Sequence, residues 1–175
     1  MADHSTSGYD QYKAKVTLWL KGHADAIAFI ETVFTALHVW DDIEDRDRAV
    51  STERFNDMMT AVLVSLPRNR FYFEHFAELN PVLHLAILNW RIANRLEQSA
   101  APLDLHNAFV LRSTYTDLIT VAATIIGGSS WGITVGVESR RHSSAEGFDA
   151  YCAALLQEHR ADYVVEERCY GVRSV

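Results

Sequence analysis

Residues 38–47, HVWDDIEDRD, place five carboxylates and a histidine within ten positions. Oxygen ligands of this kind hold Mg²⁺ or Mn²⁺ when several converge on one point. The same residues also serve as a solvated helix end. A helical projection indicates which of them could converge. If 23–45 is one α-helix, with about 100° between successive residues, Ile27, Ile30, Val33, Phe34 and Leu37 share an apolar stripe. Asp41 falls within that stripe, Asp45 and His38 lie at its edge, and Asp42 sits further round toward the polar side. An unpaired carboxylate facing a core is heavily penalised by desolvation, so it must be protonated, paired or metal-bound. Acids near a helix C-terminus also oppose the helix dipole, which favours a reason beyond solubility.

The same projection of 81–98 puts Leu85, Leu88, Ile92 and Leu96 on an apolar stripe, with His84, Arg91, Arg95 and Gln98 on the wet face. Asn89 falls in the middle of the stripe and Glu97 at its flank. A core asparagine needs partners for both ends of its amide, from a neighbouring helix, a buried water or a ligand. If this helix faces 23–45, Asn89 and Glu97 meet Asp41 and Asp45 across the bundle in an oxygen-rich cluster. Asp41, Asp45 and Glu97 are then the metal ligands and Asn89 a neutral ligand or orienter. Asp42 is a ligand or water activator, and His38 is a general base or holds a carboxylate in place. Arg112 and Tyr115 stand near the apolar stripe of the next helix, where they could hold a substrate phosphate. For any arginine, ion pairing with these acids is the alternative reading.

Asp41-Asp42-Ile43-Glu44-Asp45 resembles the DDxxD motif of class I isoprenoid and terpene synthases. In that family helix carboxylates bind Mg²⁺, which grips a substrate diphosphate. Asn89 and Glu97 match the first and last positions of the family's second motif, (N/D)DxxSxxxE, while Trp90 stands in place of its acid and Ala93 in place of its serine. There is a looser likeness of architecture to the all-α nucleoside triphosphate pyrophosphatases, and a general look of helical phage proteins. The resemblance implies a Mg²⁺- or Mn²⁺-dependent enzyme, a hydrolase or lyase, acting on a small-molecule diphosphate, either a nucleotide or a prenyl diphosphate. In such an enzyme the metal neutralises the diphosphate and stabilises charge on the departing phosphate. The rival is a non-catalytic helical assembly, virion or interaction protein in which the acidic and asparagine-bearing stripes make interhelical or intersubunit contacts, as in a homo-oligomer.

These residues need helices to position them, and the periodicity is helical almost throughout. Helices are expected over 10–20, 23–45, 52–66, 71–79, 81–98 and 103–126. A last one is expected from Ser143, which has capping-box spacing to Glu146, to about 167. Pro67, Pro81 and Pro102 mark helix boundaries. Only GITVGV, 132–137, has the look of a strand, and Gly127 and Gly128 fit a helix C-cap better than a phosphate cradle. The expectation is an all-α, single-domain bundle of about six to seven helices spanning 1–175, with an extended C-terminal arm from about 168.

Composition agrees with a folded domain: 49% hydrophobic and 22% charged residues in 175. The net charge of -7 argues against a sequence-independent nucleic-acid binder, which needs a basic face. Cys152 and Cys169 fit no metal-binding spacing and read as structural thiols. The polar N-terminus and the lack of a run of roughly 18 apolar residues lead us to expect no membrane insertion and a cytoplasmic location, that of the host if the protein is viral.

Overall fold

The computed structural model describes residues 4–45, 49–99 and 101–157, apart from the side chains of 4–10 and 45. The fold is an all-α bundle, as expected. The expected C-terminal arm and Cys169 lie outside the described residues.

Helices α1 (His4–Trp19) and α2 (Ala24–Asp45) are joined by a tight turn. Gly22 N–H donates to the Thr17 carbonyl at 2.9 Å and Lys21 N–H to Leu18 at 3.1 Å, the paired bonds of a Schellman end. Lys21 takes the left-handed position itself, at φ 50°. Helix α3 (Thr52–Thr60) starts where Ser51 accepts from Arg54 N–H at 3.1 Å. It runs through a π turn (Ala61–Ser65) into the short α4 (Leu66–Arg68), so the chain stays helical across Pro67 rather than stopping before it.

The short α5 (Arg70–Glu74) is capped by Asn69, which accepts from Tyr72 N–H at 2.8 Å. The chain then breaks at His75, and α6 (Phe76–Glu97) carries Pro81 inside it. Pro81 was expected to be a boundary. It lies close enough to the helix start that losing its N–H leaves only the Ala77 carbonyl without its helical donor.

The expected single helix over 103–126 is two helices, α7 (Pro102–Arg112) and α8 (Thr116–Gly127). Ser113, Thr114 and Thr116 each donate a hydroxyl to the carbonyl three residues back, at 2.8, 2.7 and 2.7 Å. Consecutive hydroxyls competing for the backbone in this way turn the chain at 113–115. Pro102–Gly127 has the length and mean hydropathy, 1.3, of a membrane-crossing helix. Here it is folded at that turn, with Ala108, Leu118, Ile119, Ala122 and Ala123 buried.

GITVGV is not a strand. It lies within α9 (Ser129–Ser143), which folds back antiparallel on α8 after Gly128 (φ 81°) caps α8. The glycines that weakened the helical reading are the reason for the packing. A Cβ on Gly132 would overlap Thr124 Oγ1, and one on Gly136 would lie 3.0 Å from Thr120 Oγ1. Both threonine hydroxyls donate to the carbonyl four residues back, so they sit at a close helix crossing without losing a hydrogen bond. The last helical stretch begins at 148, after Gly147 at φ 78°, and not at Ser143, which ends α9.

The core is formed by Val16, Trp19 and Leu20 around α1's end, Phe29, Ile30 and Val33 of α2, and Leu118, Ile119, Ala122 and Val135 of α8 and α9. Phe71, Tyr72 and Leu79 close it from α5 and α6. The expected stripe on α6 is turned away from this core: Leu85, Leu88 and Ile92 are 54%, 40% and 46% exposed, while Leu79, Ala86, Ala93 and Glu97 are buried. Small side chains at 86 and 93 let a neighbouring helix approach closely, which a count of large apolar residues overlooks.

The α8–α9 interlock makes a prediction. Gly132→Val should cost about 1–3 kcal/mol, the usual penalty of overpacking, read by urea denaturation. Gly132→Ala combined with Thr124→Ala should recover part of the loss of Gly132→Ala alone; strict additivity would mean that the two residues do not share a contact.

Candidate functional site

Glu97 ends α6 and is 5% exposed, so its charge must be met from within the protein. The cation is Arg112, at the end of α7. Its Nε donates to Glu97 Oε1 at 2.8 Å and its Nη2 to Oε2 at 2.7 Å, a two-pronged pair that fixes the guanidinium plane. Its Nη1 reaches across to Asp41 Oδ1 of α2 at 3.4 Å. The same Asp41 oxygen accepts from the indole N–H of Trp90, on α6, at 3.0 Å.

Tyr151, in the stretch 148–157, donates its hydroxyl to Glu97 Oε1. An aromatic group carries it there: Phe109 of α7 stands 5.6 Å from Phe148 and 5.2 Å from Tyr151, and His106 stacks on Phe148 at 3.8 Å. Burial, together with the adjacent Glu97 carboxylate, pushes the Tyr151 hydroxyl well above the usual phenol range, so it remains a donor. One buried carboxylate thus joins α6, α7 and the 148–157 stretch, and its arginine adds α2.

Beside Asp41 and Arg112 opens a pocket of about 240 Å³. Its walls are mostly apolar and aromatic: Phe34, Leu37 and Trp40 of α2, Ala86 and Trp90 of α6, and Leu111 and Tyr115 around the α7–α8 turn. Trp40 and Trp90 meet at 5.4 Å between ring centres, and Phe34 meets Tyr115 edge to face at 4.8 Å. Burial also raises the Tyr115 hydroxyl, which donates to Ser143 Oγ at 3.3 Å. The polar atoms on the walls come from His38, Asp41, Arg112 and Thr114.

Of the residues singled out from the sequence, His38, Asp41, Arg112 and Tyr115 line this one pocket. Glu97 stands behind it, holding Arg112. Asp42 turns elsewhere, to Arg54 Nη1 of α3 at 2.5 Å. Asn89 is half-buried, and among the described residues no hydrogen bond joins it to Asp41, Asp42 or Glu97. The Asp45 side chain lies outside the described ones. His38 is exposed, and its Nδ1 lies 2.8 Å from the Phe34 carbonyl one turn earlier.

Among the described residues, Asp41 and Glu97 are not arranged to share a divalent ion. Both Glu97 oxygens and Asp41 Oδ1 face N–H or O–H donors, and a divalent ion needs the lone pairs those donors occupy. Among the described residues no three His, Cys, Asp or Glu side chains are grouped to hold a metal ion. The expected acids are brought together, as Asp41 and Glu97, around a guanidinium. The alternative of ion pairing given to Arg112 is the geometry observed.

Sequence reasoning missed Trp90 and Tyr151. Trp90 had a signal: it replaces an acid of the resembled motif, and an indole N–H is a donor to carboxylates where an acid would be a second ligand. Tyr151 had none, being 54 residues from Glu97 in the chain.

Removing Arg112 should strand the Glu97 charge. Arg112→Met is expected to cost about 3 kcal/mol or more in urea unfolding, as breaking one side of a buried pair does. Arg112→Met with Glu97→Leu should regain most of that, and an equal loss in both would show that the pair is not the source of the penalty. Set against known protein families, curated proteins and solved structures, the chain matches none.

Proposed function

We propose that this is a non-catalytic helical binding protein whose pocket between α2, α6 and the α7–α8 turn takes a small organic molecule. The observation that supports this is the pocket itself: about 240 Å³, walled by Phe34, Leu37, Trp40, Trp90 and Tyr115, with His38, Asp41, Arg112 and Thr114 also in its lining. Small-molecule sites share that make-up of apolar walls and sparse polar groups.

The polar groups serve binding better than acid–base work. Arg112 is committed to Glu97 and Asp41, and Trp90 to Asp41, so neither is poised to give or take a proton. His38, a wall residue suited to general base chemistry, has its Nδ1 next to the Phe34 carbonyl, and the Asp41 carboxylate accepts from Trp90 and Arg112. The reading as a Mg²⁺-dependent enzyme acting on a diphosphate stands second. It keeps the resemblance at 41–45 and is opposed by the donors around Asp41 and Glu97.

Two measurements test the choice. Titration with small aromatic and branched aliphatic molecules, followed by the indole N–H resonances, should shift Trp40 and Trp90 saturably and leave Trp19 and Trp131 still. Ala86→Phe, which fills the pocket floor, should abolish those shifts, and a panel that moves neither indole overturns the proposal. Millimolar Mg²⁺ should leave the Tm unchanged. A rise in Tm that Asp41→Asn removes would instead favour the diphosphate enzyme.

A further inference from the structure

Among the described residues, Asp41 and Glu97 bring two carboxylates to one guanidinium, that of Arg112, which leaves one negative charge in excess between these three. Glu97 takes the better part of the arginine: its two contacts are 2.7 and 2.8 Å, against 3.4 Å for Asp41. Both hydrogen bonds to Asp41 fall on Oδ1, and among the described residues none falls on Oδ2. Asp41 is 42% exposed at its side chain and so is within reach of an incoming partner, whereas Glu97 at 6% is closed off.

The walls next to this carboxylate are aromatic on two sides. Trp40 and Trp90 stand tilted to each other by 60°, and Phe34 and Tyr115 make a second pair. Trp90 donates its N–H to Asp41, and a hydrogen bond to a carboxylate pushes electron density back into the indole ring. A ring enriched in this way attracts cations to its face more strongly. Aromatic faces beside an under-neutralised carboxylate favour one kind of guest, a cation whose charge is cloaked in alkyl groups. An anion would have to draw Arg112 from Glu97, and a compact, strongly hydrated cation would lose its water against apolar walls.

Resting on the reading of the pocket as a ligand site, we infer that its occupant is a monovalent organic cation with an alkylated ammonium head, seated among Phe34, Trp40, Trp90 and Tyr115 with Asp41 as counter-ion. The cavity of about 240 Å³ has room for such a head and a short stem.

Three probes of nearly the same shape test the charge alone. Choline, its neutral carbon isostere neohexyl alcohol and the anion tert-butylacetate are titrated separately into the full chain at low salt, following the Trp40 and Trp90 indole resonances. Choline should bind at least about tenfold more tightly than the alcohol, within the range cation–π contacts and an ion pair supply. In Asp41→Asn the ratio should fall toward one, and in wild type it should shrink as salt is added. If the alcohol binds as well as choline, or tert-butylacetate binds best, the cation inference is overturned while the pocket reading stands. If all three leave both indoles unmoved, the pocket reading fails and the inference falls with it.

Discussion

The buried Glu97 carboxylate is the constraint on which this end of the molecule depends. A charge 5% exposed survives only with a cation and further donors around it, and these come from two different parts of the chain. Arg112 supplies the charge and Tyr151 a hydroxyl, and Asp41 shares the guanidinium from a third helix. A lysine could neutralise Glu97 but could not hold both its oxygens and still present an N–H at a fixed angle to Asp41. The planar fork therefore sets the position of Asp41, and Asp41 in turn fixes the face that Trp90 shows to the pocket.

The α8–α9 pair is held by another kind of contact. There α8 and α9 approach until Gly132 and Gly136 lie against the threonines of the facing helix, and the space is filled by backbone rather than side chains. On the Glu97 side the helices carry Phe34, Trp40, Trp90 and Tyr115, whose rings pair edge to face or tilted and cannot interdigitate as aliphatic chains do. Space is left between the ring pairs, and these aromatic residues line it. The pocket follows from the bulk of the residues that surround it, as the tight crossing follows from the lack of bulk in those at α8 and α9.

How far this could be read in advance differs from element to element. The all-α class and the span of α2 follow from a strong apolar period, and Ile30 and Val33 are buried as that period requires. The face of α6 was misread because Leu85, Leu88 and Ile92 outweigh Ala86 and Ala93 in any hydrophobic projection, although close packing favours the small pair. GITVGV looked like a strand for a related reason: β-branched residues and glycines lower helix propensity, and the compensating contacts lie on another helix. The break at 113–115 was legible in principle, since the run Ser113-Thr114 followed by Thr116 offers three hydroxyls to compete with the helix. Of the site, the sequence marked His38, Asp41, Glu97, Arg112 and Tyr115, and it could not arrange them, because their separation is bridged only by the fold.

An acidic motif on an inward helix face carries one dependable message, that a positive charge is close by. It does not say whose. Ligand-bearing and arginine-paired carboxylates satisfy the same desolvation requirement and occupy the same helical positions, so spacing within 38–47 cannot tell them apart. What separates them is the character of the other groups that reach the same oxygens. A metal centre gathers acceptors, whereas here Trp90, Arg112 and Tyr151 are all donors. Trp90, standing where the resembled motif has an acid, is therefore the most informative residue of the two stretches. An indole there brings a donor, so the carboxylate it faces is held by a hydrogen bond.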